Sequence, residues 1–157
     1  MDRHEEFTAW ARQRQTALLR TAVLLTGDRH RAEDLVQEAL SQVAVRWSRL
    51  RDGNPDAYAR RVVVSRNISW WRKHRREVVA EPPKTAAAPD LDRRLALDRA
   101  LAALTPAQRA VIVLRYYDAL TEADTAAALG IAVGTVKSHA HAALARLRAS
   151  DLLLEDS

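Results

Sequence analysis

The sequence predicts an all-α protein built as two small helical domains. Apolar residues recur at three- and four-residue spacings through most of the chain, which is the period of an amphipathic helix. No stretch shows the two-residue alternation that is typical of a half-buried strand. The stretch EVVAEPPKTAAAPD contains three prolines and has no helical stripe. It therefore predicts a flexible linker over residues 77–90.

The first domain is predicted over residues 5–76 as a bundle of three helices. An apolar stripe runs from Glu5 to Leu25, and Gly27 follows it in a helix-ending position. A second stripe covers about 29–50. Asn54 then stands as a cap in front of a third helix that starts at Pro55 and ends at about residue 76.

The second domain is predicted over residues 91–150. Leucines recur helically from Leu91 to Leu104, and TPAQ then combines a capping box with proline at the first helical position, so a helix starts at Pro106. Thr121 is predicted to cap the next helix, EADTAAALG, and Gly130 to end it. A final helix is predicted to start near Val133.

Composition narrows the function classes. The chain of 157 residues has a net charge of +5 and a sequence pI near 10.2. Most of its cations are arginines, whose guanidinium groups suit phosphates and base edges. A coding bias towards arginine explains the number of arginines better than it explains their clustering. The absence of cysteine excludes disulfides and thiolate metal sites. No apolar run approaches a membrane span, and MDRHEEFTAW lacks a signal-peptide core, so we expect a cytoplasmic protein without membrane insertion.

The last two helical patterns form a candidate helix-turn-helix hinged at LGIAVG. At about 100° per residue, Val136, Ala140, Ala143 and Leu147 share the packing face of the final helix. The opposite face is predicted to read DNA: Lys137, Ser138 and His141 at base edges, Thr135 and Arg148 at phosphates. The alternative is the solvated face of an ordinary helical bundle.

A basic helix end, SRNISWWRKHRRE, closes the first domain. Its cations can neutralise phosphates, and an aromatic ring beside them can stack on an unpaired base. Core packing is the competing explanation for at least one tryptophan. The candidate DNA-binding set here is Arg66, Asn67, Trp70, Trp71, Arg72, Lys73, Arg75 and Arg76.

An acidic patch in AEDLVQEAL has the opposite character. Asp34, Gln37 and Glu38 share the outer face of a helix whose inner face is apolar. Because carboxylates repel DNA, this face predicts a protein partner, although a merely solvated surface would show the same pattern.

These features, in this order, resemble a bacterial RNA polymerase sigma factor of the extracytoplasmic-function class in the sigma-70 family, and specifically an actinobacterial-type subgroup. GDRHRAEDLVQEAL resembles the polymerase-binding helix of region two, and YARRVVVSRNISWWRKHRRE resembles its −10-reading and melting helix. The chain from LTPAQRAVIVL to AALARLR resembles region four. The resemblance covers nearly the whole chain.

The resemblance implies partners and roles. Asp34, Gln37 and Glu38 would meet the clamp coiled coil of the largest subunit of core RNA polymerase. The loop from Ser48 to Asn54 would hold a base flipped out of the −10 element of promoter DNA, and the final helix would read the −35 element. An anti-sigma factor that clamps both domains is a further partner of the family, and no cofactor is implied.

Three other classes are the alternatives. A purely structural adaptor would account for the acidic face but would leave the basic helix end without a role. The output domain of a response regulator also carries a recognition helix similar to GTVKSH, and would make the chain a helix-turn-helix transcriptional regulator. An enzyme is not expected, because the sequence contains no phosphate-binding glycine loop, metal-ligand spacing or nucleophile and base set.

Overall fold

The fold is all-α, as predicted. The structure, a computed structural model, describes residues 1–74 and 89–155, and all its regular elements in those ranges are helical. Most of the predicted linker, and Arg75 and Arg76 before it, lie outside the described residues; its last two residues instead start a helix at Pro89. The elements are α1 (Arg3–Thr26), α2 (Arg29–Val45), α3 (Trp47–Leu50), α4 (Pro55–His74), α5 (Pro89–Ala102), α6 (Pro106–Ile112), a π-helical segment (Val113–Tyr117), α7 (Glu122–Leu129) and α8 (Val133–Glu155).

The turn between α1 and α2 is fixed by local hydrogen bonds. Gly27 adopts the left-handed conformation with φ 69° and donates its N–H to the carbonyl of Val23, which ends α1 as predicted. Asp28 then caps α2, because its side chain accepts hydrogen bonds from the N–H groups of His30 and Arg31. Beyond this turn, α1 and α2 pack against each other over a shared apolar face.

Gly27→Ala is expected to lower the free energy of unfolding by about 1–2 kcal/mol, because an L side chain in the left-handed region is strained. The added methyl would also lie 3.3 Å from the guanidinium Nη2 of Arg109. Gly134→Ala is the matched control: its methyl would meet nothing within 4 Å, and alanine in a helix gains up to about 1 kcal/mol. Urea unfolding of both variants checks this, and equal effects would contradict it.

The second predicted helix does not run unbroken to residue 50. The structure ends α2 at Val45 and starts the short α3 at Trp47. The break turns the Trp47 ring inward, where it lies 5.6 Å from Phe7 and 5.7 Å from Trp10, centroid to centroid. Burial of these rings favours the break, since aromatic pairs at such distances stabilise beyond the area they bury.

The second half begins with α5 and α6, joined by the predicted capping box. Thr105 accepts from the N–H of Gln108, whose side chain accepts from the N–H of Thr105. After α6 the helix widens, and the N–H of Asp118 reaches the carbonyl of Val113, the i to i+5 pattern of a π-helix. Leu101, Leu104, Ile112 and Ala143 form a small core of this half.

The main core continues from the first half into the second. It joins residues of α1, α2, α3 and α4 with Ala110, Val113 and Leu114, all of which are buried. The two halves are therefore packed together in this structure, with α6 and the π-helical segment lying against α1 and α4.

Candidate polymerase and nucleic-acid interfaces

The acidic face predicted to meet a protein partner lies on α2. Asp34 and Gln37 are exposed, whereas Val36 and Ala39 on the opposite side are buried in the core. Glu38 is half-buried, and its carboxylate lies 3.3 Å from the guanidinium of Arg66 on α4. Since the side chains of Arg66 and Glu38 remain 57% and 43% exposed, this ion pair contributes at most about 1 kcal/mol. Glu38 thus lies at the border of the acidic face and the basic one.

The basic face lies along α4. Arg66, Arg72 and Lys73 are exposed, as a DNA contact requires. Their helix packs against α1 and α2 on its other side, through residues such as Val63 and Val64. This packing determines which side of α4 the cations occupy.

Trp70 is half-buried, and its ring already has two stacking partners. The guanidinium carbon of Arg31 lies 3.4 Å from the ring centroid. The imidazole of His74 stacks at 4.3 Å with an interplanar angle of 12°. Arg31 and His74 must lie on opposite faces of the Trp70 ring, because two groups this close to the ring would overlap if they lay on the same face. The predicted stacking on an unpaired base therefore requires one of them to leave.

Trp71 is half-buried, whereas Asn67 is buried. Trp71 packs edge-on against Trp70 at 5.2 Å, with a buried indole nitrogen. Asn67 is only 2% exposed; it accepts a hydrogen bond from Arg31 and donates one to the carbonyl of Leu25. Because this amide joins α1, α2 and α4, we assign Asn67 a structural role in place of the predicted DNA contact.

The loop predicted to hold a flipped base is tied to the start of α1. Ser48 accepts a hydrogen bond from Arg3 at 3.0 Å, and Arg51 pairs with Glu6 at 2.6 Å. Asn54 caps α4 by accepting from the N–H of Ala57. Most of the loop is exposed. The contacts above hold it on the side of α1 and at the start of α4.

A cleft between α2 and α4 lies beside the basic face, and sequence reasoning missed it. Arg61 and Arg46 line the cleft with Arg66, and Ser65 and Ser69 stand between them. Arg61, Ser65 and Ser69 recur every four residues, which is the signal that could have found this stripe. The cleft offers guanidinium and hydroxyl donors, which suit a phosphate backbone.

The helix-turn-helix forms as predicted from α7 and α8. Thr121 caps α7, and Gly130 ends it with φ 66° and an N–H bonded to the carbonyl of Ala126. Val136 and Ala143, on the packing face of α8, are buried. The five predicted DNA-facing residues are all exposed, namely Thr135, Lys137, Ser138, His141 and Arg148.

Three buried or half-buried charges had no signal in the sequence. Burial lowers the pKa of Arg31, and the charge of Asp28 opposes that shift. Burial likewise lowers the pKa of Arg109, and Asp98 opposes that shift. Burial raises the pKa of the Asp118 carboxyl, and the hydroxyl of Thr21 and the charge of Arg60 oppose that shift. In the sequence alone, nothing distinguishes these three residues from ordinary charged residues at the surface.

Over residues 1–74 and 89–155, no three metal-ligating side chains come together, and the helices are all too short or too polar to cross a membrane. One acidic face, one basic face and one recognition helix are presented to solvent.

Comparison with known proteins identifies the family of the chain. Residues 10–77 match the family model described as sigma-70 region 2, and residues 94–147 match that described as sigma-70 region 4. The chain belongs to the sigma-70 family. Within the family it is 43% identical to the RNA polymerase sigma-E factor of Streptomyces coelicolor, over 91% of this chain and 84% of that one. It is 41% identical to the ECF RNA polymerase sigma factor SigL of Mycobacterium tuberculosis, over 83% and 80%.

Two solved structures share the fold. The sigma factor RpoE in complex with the anti-sigma factor NepR, from Bartonella quintana, superposes with a TM-score of 0.74 at 28% identity, over 93% of this chain and 96% of that one. CnrH in complex with the cytosolic domain of CnrY superposes with a TM-score of 0.67 at 25% identity, over 96% and 89%. Both likenesses extend over the two halves of the chain.

Proposed function

We propose that this sigma-70 family chain binds core RNA polymerase, directs it to specific promoters and starts transcription by binding the −35 element and melting the −10 element. The observation that carries the proposal is the combination in one chain of a region 2 match and a region 4 match. The first half holds adjacent acidic and basic faces, and the second presents an exposed recognition helix.

The acidic face of α2 is the proposed polymerase contact. Asp34 and Gln37 are exposed, and Glu38 closes the patch on the side of α4. Negative charge steers this face away from DNA and towards a basic protein surface. We assign it to the clamp coiled coil of the largest polymerase subunit, as the family resemblance implies.

The basic side of the first half is the proposed −10 contact. The cleft lined by Arg61 and Arg66 lies on this side of α4, and Arg72 and Lys73 are exposed further along the same helix. A single strand bound along α4 would meet these cations, and the 48–54 loop would hold a base that has left the stack. Such capture offsets the few kcal/mol that unstacking a base costs.

The exposed face of α8 is the proposed −35 contact. A recognition helix places its N-terminal residues on base edges in the major groove. Lys137, Ser138 and His141 occupy that part of α8, and Ser138 also donates to the carbonyl of Gly134. Thr135 and Arg148 flank them at positions suited to phosphates.

The chain supplies recognition, and nucleotide addition belongs to the polymerase. Sigma factors are transcription initiation factors without catalysis of their own, so we assign this chain no covalent step and no cofactor. We place it in the cytoplasm, where core polymerase works. An anti-sigma factor is a further proposed partner, because the sigma factor RpoE, which shares its fold, is seen in complex with the anti-sigma factor NepR.

A response-regulator output domain is the alternative function for the same helix-turn-helix. It is not favoured, because residues 10–77 match sigma region 2 instead of a phosphoacceptor domain. A regulator would bind operator DNA without polymerase, whereas a sigma factor depends on it. This dependence separates the two functions experimentally.

Run-off transcription tests the proposal. Purified chain and core polymerase from a high-GC actinobacterium are incubated with a fragmented genomic library, and transcripts are mapped against a reaction without the chain. Discrete new start sites that need both proteins are expected. Specific DNA binding without polymerase, together with no new transcript from any fragment, would favour the regulator.

A further inference from the structure

Trp70 lies in the middle of a three-layer stack, and the proposed function does not say what the stack is for. The guanidinium of Arg31 covers one face of the indole, and the imidazole of His74 covers the other. The imidazole lies 4.3 Å from the Trp70 ring, centroid to centroid, with an interplanar angle of 12°. A nucleobase stacks on an aromatic side chain in the same parallel arrangement. The imidazole therefore occupies the place that an unpaired base would take.

Arg31, on α2, is the fixed cover of this ring. Its Nη2 donates to Oδ1 of Asn67 at 2.7 Å, while its guanidinium carbon lies 3.4 Å from the centroid of the Trp70 ring. Asn67 is only 2% exposed and is itself bonded to the carbonyl of Leu25. Withdrawal of Arg31 would leave a buried acceptor without its donor, and an unsatisfied buried group carries its full desolvation cost. Arg31 therefore stays in place when a ligand approaches.

His74 is the movable cover. It is the last residue of α4 and is half-buried. Its Nδ1 lies 2.9 Å from the carbonyl oxygen of Trp70, and Nδ1 is the donor because a carbonyl can only accept. Rotation about the side-chain bonds of His74 takes the imidazole off the indole without moving α4, and water can replace that hydrogen bond. A base can therefore displace His74 at a lower cost than Arg31.

The uncovered ring would lie in a row of cations. On a helix surface, residues three and four apart are neighbours. Arg66 is four residues before Trp70 and Lys73 is three residues after it, and both are exposed. A strand whose base stacks on Trp70 would thus have a cation for a phosphate on either side. Aromatic rings between cations are the arrangement that single-strand-binding proteins use.

We propose that the His74 side of the Trp70 ring is a stacking site for one unpaired base of the −10 strand, that His74 keeps this site closed until the base displaces it, and that Arg31 is the positioning residue behind the ring. The site is separate from the 48–54 loop, so the strand is held at two of its bases. The identity of the ligand as −10 DNA rests on the proposed function, whereas the closed stack does not.

A cycle of base removal and side-chain change tests the stacking site. Holoenzyme is assembled from core polymerase and the full chain, and its affinity is measured for a promoter recovered by run-off whose −10 non-template strand is left unpaired. Each −10 nucleotide is replaced in turn by an abasic one. At one position, the abasic strand should bind wild type about tenfold more weakly, as expected for the loss of one base–aromatic stack. Trp70→Leu should bind the intact and the abasic strand equally at that position.

Controls separate stacking from folding and from charge. Trp70→Phe keeps a flat ring and should retain part of the tenfold difference, and circular dichroism verifies that both Trp70 variants fold. Lys73→Ala should weaken binding of the intact and the abasic strand by the same factor, since a phosphate contact does not depend on the base. A base held by the 48–54 loop should contribute affinity in wild type and Trp70→Leu alike.

The two covers are predicted to act in opposite directions. His74→Ala removes the competitor of the base and should strengthen binding of the intact strand about threefold, since a hydrogen bond of modest strength no longer has to break. Binding of the strand that is abasic at the Trp70 position should not change. Arg31→Met should weaken binding of the intact strand alone, whereas Arg31→Lys, which keeps a cation over the ring, should behave more like wild type. A merely structural role of Arg31 would weaken both strands alike.

The stacking site would be overturned if Trp70→Leu removed the cost of the missing base at no position. Unchanged or weaker binding of the intact strand by His74→Ala would overturn the role of His74 as a cover. Equal losses on both strands for Arg31→Met would overturn its positioning role. If the wild-type holoenzyme bound no promoter, the proposed function would be contradicted instead.

Discussion

Asp34→Arg is expected to lower run-off transcription about 100-fold while DNA binding by the chain is kept or increased. The change places a cation where the α2 face is proposed to meet a basic polymerase surface, and like charges across an interface cost several kcal/mol. A cost of about 2.7 kcal/mol corresponds to about 100-fold in affinity. Asp34 is exposed, so the fold should not change. Co-elution with core polymerase and run-off measure the effect.

The choice of Asp34 over Glu38 follows from the structure. Glu38 lies 3.3 Å from Arg66, so its reversal would also disturb the basic face that is proposed to bind the −10 element. Glu5→Arg is the control, since Glu5 is exposed on α1 and the change in charge is the same. If both variants lost activity equally, net charge and not a specific contact would be responsible, and the assignment of this face would be wrong.

Replacing Lys137, Ser138 and His141 together by alanine is expected to remove −35 recognition. A well-placed side-chain contact to a base contributes about 1–3 kcal/mol of discrimination. We therefore expect the triple variant to lower holoenzyme affinity about 30-fold or more on a template with its −35 element. All three residues are exposed, and the buried residues Val136 and Ala143 that hold α8 are unchanged.

A template with a scrambled −35 element provides the comparison for this variant. On that template, wild type and variant should bind within about threefold of each other, since the residual affinity comes from phosphate contacts. Thr135 and Arg148 are retained for those contacts. An equal loss on both templates would mean that the three side chains bind the DNA backbone, and that the −35 bases are read elsewhere.

Local patterns predicted most of the helices correctly because they depend on neighbouring residues. Gly27, Thr105 and Gly130 end or start helices through hydrogen bonds within a few residues, and such signals are visible in sequence. The exposed face of α8 follows likewise from the helical period. The break after Val45 depends on the packing of Trp47 against α1, which no local pattern contains.

The candidate site was only partly predictable for the same reason. Exposure of Asp34, Arg72 and Lys73 follows from their side of an amphipathic helix. The burial of Asn67 and the covering of Trp70 by Arg31 both depend on α2 crossing α4, which is a tertiary contact. The docking of the halves through Arg109 is hidden in sequence because a buried arginine and an exposed one read alike.

Permanganate reactivity of unpaired thymines tests the central claim, promoter melting, most directly. A promoter recovered from the run-off library is probed with core polymerase alone, with the chain alone, and with both. Reactive thymines confined to the −10 element and present only with both proteins are the predicted result. Reactivity with polymerase alone, or a fully paired −10 element with both proteins bound, would contradict the account.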